Sequence, residues 1–275
     1  MLGLSIALLA SVLTIDQTRA DDAAAKALLA GNKLYVGIVV GPTPGPGKVV
    51  GPALEPGPGR IARDGYHGVE VDLATSLAEK LGASVEFLEY SDSDTVTRIA
   101  RVLEWSIAFI PVEEENRKDV DFGSAYIMLQ ATYLVRPGSL IKTLADVDKQ
   151  GVRVATAIEE PATARAAVRS LKKATVTAEV TSDELLDLLT SKKVDAVALS
   201  REAATALSTR LPGSRVLHGA FWKSYVAIAV PAQDSDGLPY LSAFIDDAIA
   251  SGRVRRSLDK VGMQNSIVPP PGTRP

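Results

Sequence analysis

One stretch constrains the fold more than any other: Gly68-Val69-Glu70-Val71-Asp72-Leu73-Ala74-Thr75-Ser76-Leu77-Ala78-Glu79-Lys80-Leu81-Gly82. Leu73, Leu77 and Leu81 recur at helical spacing with Ala74 and Ala78 beside them, while Thr75, Glu79 and Lys80 fall on the other side. Asp72 stands in the first turn, where a carboxylate suits the positive helix end, and Gly82 can take the left-handed stop. The strand-like run Ser84 to Glu89 follows at once. A helix feeding a strand in this way predicts an α/β sheet.

Composition narrows what such a sheet can serve. With 275 residues, 46% of them hydrophobic, the chain can bury one large core or two moderate ones. A formal net charge of −3 and the lack of any basic cluster argue against nucleic-acid binding. Cysteine is absent, which excludes disulfides, a thiol nucleophile and a thiolate metal site. The two histidines, His67 and His218, read as ordinary loop residues and leave little material for a Ser-His-Asp triad or a histidine-rich metal centre. No cofactor is expected.

Met1 to Ala20 reads as a secretory signal: Leu2 to Leu13 is apolar but too short to span a bilayer, and Thr18-Arg19-Ala20 ends in residues of cleavage-site type. A periplasmic protein without a membrane anchor is expected. Lys33 to Val40 has the near-continuous apolar character of a buried parallel strand. Gly41 to Arg60 is rich in proline and glycine and predicts an irregular loop. It is no phosphate loop, because Val49 stands where Ser or Thr is required and Pro42 where the first Gly belongs. Ser91 to Trp105 predicts a helix, and Ile107 to Ile110 the next buried strand. Thr181 and Glu184 have capping-box spacing ahead of a helix from Leu185 to Lys192. Pro269 to Pro275 predicts a disordered tail, which the domain division extends to residues 265–275.

The Gly68–Gly82 wording closely resembles the signature of family 3 extracellular solute-binding proteins, the periplasmic receptors of polar amino-acid ABC transporters. Asp121-Phe122-Gly123-Ser124-Ala125-Tyr126 resembles that family's "DFSdPY" motif, and Lys193-Val194-Asp195-Ala196-Val197 its "GkvDAv" strand. The likeness runs from about Lys33 to Gly262. It implies a type II periplasmic binding fold, with two mixed sheets and flanking helices in two lobes joined by two hinge strands. Lobe 1 would comprise residues 33–130 plus 223–264, and lobe 2 residues 133–220, with the ligand in the cleft between them. A monomer is expected, delivering a small molecule to an ABC permease.

The resemblance breaks at the recognition positions. The family's carboxylate-binding Arg aligns with Asn116, and Arg117 next to it is turned about 100° around a helix. The family's small or hydroxyl residues align with Ala108, Phe109 and Pro111, and the acid that holds the ammonium aligns with Ser200. Its "GT" turn aligns with Glu159-Glu160, before Pro161 at the start of a helix. Phe109, Pro111, Asn116, Arg117, Glu159, Glu160 and Ser200 are thus the candidate ligand-binding residues, and the ligand expected is not a standard α-amino acid. Two other readings stay open: a receptor-derived docking protein for another periplasmic system, and a dehydratase-like enzyme using cleft carboxylates. The enzyme is disfavoured because such enzymes also keep the carboxylate-binding Arg.

Overall fold

The computed structural model describes residues 23–41, 49–50, 60–62, 65–158 and 160–275. Met1 to Ala20, Glu159 and most of the Pro/Gly-rich stretch lie outside the described residues. The chain divides into two compact units, Met1–Ile127 with Tyr225–Pro275, and Met128–Ser224.

The first unit opens with a helical segment at residues 23–27 (α1), then β1 (Lys33–Gly41), β2 (Val49–Val50) and β3 (Arg60–Ala62). Next come α2 (Val69–Leu81), β4 (Ser84–Tyr90), α3 (Ser93–Ile99), β5 (Ile107–Pro111) and the long strand β6 (Val120–Val135). The second unit continues with α4 (Leu144–Val147), β7 (Arg153–Ala157), α5 (Pro161–Ser170), β8 (Thr175–Val180) and α6 (Ser182–Thr190). It ends with β9 (Ala196–Ser200), α7 (Arg201–Arg210) and β10 (Arg215–Val216). Strand β11 (Trp222–Pro231) returns the chain to the first unit, which closes with α8 (Leu238–Ala250) and α9 (Arg253–Lys260).

The strands of the first unit follow the order β3-β4-β1-β5-β11-β6, and those of the second β6-β9-β7-β8 with β10 beside β6. Both arrangements are mixed: β1 is parallel to β4 and β5 while β11 opposes β5, and β7 is parallel to β8 and β9 while β6 opposes β9. The fold is α/β with helices flanking the strands.

Helix α2 forms as its stripe dictates. Val69, Leu73, Ala74, Leu77 and Ala78 are buried, and Gly82 ends the helix in the left-handed region at φ 65°. Each large apolar side chain buried there contributes roughly 1.5–3 kcal/mol. Asp72 anchors the helix to α9 by accepting from the Ser257 hydroxyl and lying 3.6 Å from Lys260 Nζ. In the second unit Leu134, Leu185, Leu189, Val197 and Leu199 share one core. The capping box forms there as its spacing predicts, with Thr181 accepting from the Glu184 N–H and the Glu184 carboxylate answering the Thr181 N–H.

Two expectations are corrected. The helix expected over 91–105 stops at Ile99, passes through a 3₁₀ turn at Ala100–Val102, and reverses at Leu103 with φ 55°. Burial of Trp105, whose indole N–H donates to the Val96 carbonyl at 3.1 Å, folds the chain back over its own helix. The segment 265–275 is not a loose tail either. Ser266 and Pro269 are buried, and the Ala125 N–H of β6 donates to the Thr273 carbonyl at 3.0 Å. Its composition offers little apolar area, but its backbone and Arg274 find polar partners.

Candidate functional site

In an open α/β sheet, ligands bind beyond the strand carboxyl ends, where two neighbouring parallel strands send their connections in opposite directions. In the second unit that place lies between β7 and β9. From β7 the chain passes through α5 to β8 on one side, whereas from β9 it leaves through α7 towards β10 beside β6 on the other. The topology therefore puts the residues after Ala157 and those at Ser200 at one edge.

They meet there. The Ser200 N–H donates to Glu160 Oε2 at 2.6 Å, and the Ser200 hydroxyl donates to Glu160 Oε1 at 2.7 Å. The same hydroxyl oxygen accepts from the Ala203 N–H at 3.2 Å, capping α7. Glu160 is itself the cap residue of α5, with Pro161 following, but its side chain makes no bond to that helix and reaches across to β9 instead. Both residues are half-buried. Among the described residues Glu160 forms no ion pair. Arg201, next to Ser200, directs its guanidinium to the Gln130 side chain at 2.9 Å and to the Gly219 carbonyl. The result is a carboxylate fixed by two donors, with a second lone pair open on each oxygen.

In the first unit the corresponding switch lies between β1 and β5, which pair in parallel at Val36↔Ile107 and Gly37↔Ala108. The segment leaving β5 holds four of the expected residues. Phe109 is fully buried, its ring set edge-on to Tyr126 with centroids 5.6 Å apart. Pro111 is half-buried at the strand end, paired with Val226 of β11. Asn116 ends a 3₁₀ turn and is 7% exposed, with its Nδ2 buried and without a hydrogen-bond partner. Arg117 is exposed. Its Nε donates to Glu114 at 3.1 Å and its guanidinium lies 5.6 Å from the Phe122 ring centre. Phe109 thus packs against Tyr126, and Arg117 pairs with Glu114 at the surface.

A buried polar pair lies behind Phe109. The Tyr126 hydroxyl donates to Glu70 Oε1 at 2.6 Å, and both residues are buried. Burial, reinforced by the Glu70 charge and this hydrogen bond, pushes the Tyr126 phenol well above its ordinary range. The signature helix is thereby locked to β6. Sequence reasoning missed this pair, although Glu70 stands three and seven residues before Leu73 and Leu77, on the apolar stripe. Of the seven expected positions the structure brings Glu160 and Ser200 into contact, and Glu159 lies outside the described residues. Among the described residues no cluster of three or more His, Cys, Asp or Glu side chains could hold a metal ion.

A sequence profile described as "Bacterial extracellular solute-binding proteins, family 3" matches residues 56–263. The chain belongs to that family. A member-like relative, the glutamine-binding protein of Geobacillus stearothermophilus, is 31% identical over 94 residues, covering 33% of this chain and 36% of the relative. That alignment spans little more than a third of the relative's length. Among solved structures, an amino acid ABC transporter substrate-binding protein from Streptococcus pneumoniae, bound to L-arginine, superposes with a TM-score of 0.61 at 18% identity, over 90% of this chain and 99% of that one. A Wolinella succinogenes protein complexed with lysine gives 0.63 at 19% identity, over 84% and 96%. These likenesses establish the fold of the family 3 chain as the type II periplasmic binding fold. Among the described residues no helix is long and apolar enough to cross a membrane.

Proposed function

We propose that this family 3 protein is a periplasmic receptor, acting as a monomer, that captures a small cationic solute other than a standard α-amino acid for an ABC permease. The observation that carries the proposal is Glu160: a half-buried carboxylate fixed at 2.6 and 2.7 Å to Ser200, at a strand-end switch, with no ion-pair partner among the described residues. An ammonium or guanidinium group supplies the missing charge and donates to the open lone pairs. The relatives complexed with L-arginine and with lysine hold ligands that carry a side-chain cation, which supports the same class.

The α-carboxylate of an amino acid has no comparable provision. Asn116 offers neutral hydrogen bonds where the family resemblance leads one to expect the fork of an Arg, and Arg117 is held by Glu114 and Phe122. Ser200 is engaged by Glu160, so the acid has shifted from the β9 position to the loop after β7. Losing two charge-assisted contacts, at about 2–5 kcal/mol each, turns micromolar binding into roughly millimolar or weaker binding. A diamine or polyamine avoids that loss. Binding alone is proposed for this site, with no chemical step.

The test is calorimetry of spermidine and cadaverine with the unaltered protein and with Glu160→Gln. The unaltered protein is expected to bind one of them, and Glu160→Gln to weaken it at least about tenfold, since a neutral amide cannot neutralise a buried cation. Equal affinity in the two proteins would remove Glu160 from the site.

A further inference from the structure

Three successive residues of β6 are tied to three different parts of the first unit. The Ser124 hydroxyl donates to the Ser242 carbonyl of α8 at 3.0 Å and accepts from Arg274. The Ala125 N–H donates to the Thr273 carbonyl at 3.0 Å. Tyr126 is held by Glu70 of α2 at 2.6 Å. The first unit's share of β6 ends at Ile127, so these three residues lie immediately before the point where the chain passes to the second unit.

The segment 269–275 supplies two of those ties and is itself anchored on α8. Asp246 accepts from the Gly272 N–H at 2.7 Å and from Arg274 Nη2 at 2.9 Å, and Pro269 is buried. Burial tends to raise the Asp246 pKa, but hydrogen bonds from Arg274 and the Gly272 N–H outweigh it and hold the carboxyl below its ordinary range. Pro269, Pro270, Pro271 and Pro275 restrict the undocked chain, which lowers the entropy lost on docking. A segment with little apolar area is thus kept in place by directed polar contacts, so its local opening costs less than global unfolding.

We propose that Pro269–Pro275 is a strap that sets how freely β6 bends where it leaves the first unit, with the Arg274–Asp246 pair as its clasp. Docked, the strap holds Ala125 through the Thr273 carbonyl and Ser124 through Arg274, beside the bond from Ser124 to α8. Released, it frees the Ala125 N–H and the Ser124 hydroxyl oxygen, and the strand flexes closer to its exit. The inference is independent of the solute proposed above, because every contact it uses lies within the first unit.

Hydrogen exchange followed by mass spectrometry tests it in the full chain. Arg274→Ala is expected to speed exchange in peptides covering residues 122–130 about tenfold while leaving α6 and β4 unchanged, and deletion of 269–275 is expected to do at least as much. Arg274→Lys keeps a cationic donor for Asp246 and Ser124 and should hold exchange slower than Arg274→Ala does, which separates a broken clasp from a misfolded protein. Unchanged exchange at 122–130 in Arg274→Ala, or acceleration spread evenly over the first unit, would overturn the proposal.

Discussion

The two strand-end switches are built from similar elements and treat their polar residues in opposite ways. In the first unit Phe109 is committed to Tyr126, Tyr126 to Glu70, and Arg117 to Glu114, leaving the buried Asn116 Nδ2 unfilled. In the second unit Glu160 is fixed in position yet half-buried and without a countercharge among the described residues. The contrast separates residues at a switch by how their packing and charge are answered within the protein. A side chain whose packing, polar and charge needs are all met within the protein is expected to act as scaffold. One oriented by neutral donors and lacking a countercharge is the residue proposed for recognition.

The largest effect that can break this comparison is at Phe109. If Phe109 is scaffold, Phe109→Ala should cost about 3–5 kcal/mol of stability, seen as a lower urea midpoint. A variant as stable as the parent but deficient in solute binding would return Phe109 to the site. Tyr126→Phe comes next. It removes one hydrogen bond from the buried Glu70 carboxylate, a loss of about 1.5–3 kcal/mol for a charged acceptor, and the same denaturation experiment should resolve it. The smallest effect belongs to Arg117. Arg117→Ala should stay within about 0.5 kcal/mol of the parent, because its pair with Glu114 is exposed at the surface and such pairs contribute little. A large loss of stability or affinity there would redraw the boundary between scaffold and surface.

Much of the fold was legible because it rests on local rules. The stripe of Leu73, Leu77 and Leu81, the Gly82 stop and the Thr181–Glu184 box each depend on residues a few positions apart. The helix expected over 91–105 stops short because burial of Trp105 against the core, at the end of the same stretch, outweighs its periodicity. The segment 265–275 failed for a related reason: composition reports apolar area, and this segment docks through backbone groups and Arg274. At the site, Glu160 and Ser200 were both legible as candidates, but their contact joins residues 40 positions apart and was not. Read separately, Glu160 stands in place of the family's small-residue turn ahead of Pro161, and Ser200 stands where the family has an acid. Together they bring a carboxylate into hydrogen-bond contact with Ser200.

The most direct test of the cationic-solute account is a calorimetric comparison of cadaverine with L-lysine, which differ only in the α-carboxylate. With Glu160 as the countercharge and Asn116 in place of an Arg fork, cadaverine should bind at least about tenfold tighter, and L-lysine no tighter than roughly millimolar. Micromolar binding of L-lysine, with cadaverine weaker, would show that the carboxylate is recognised after all and would contradict the account.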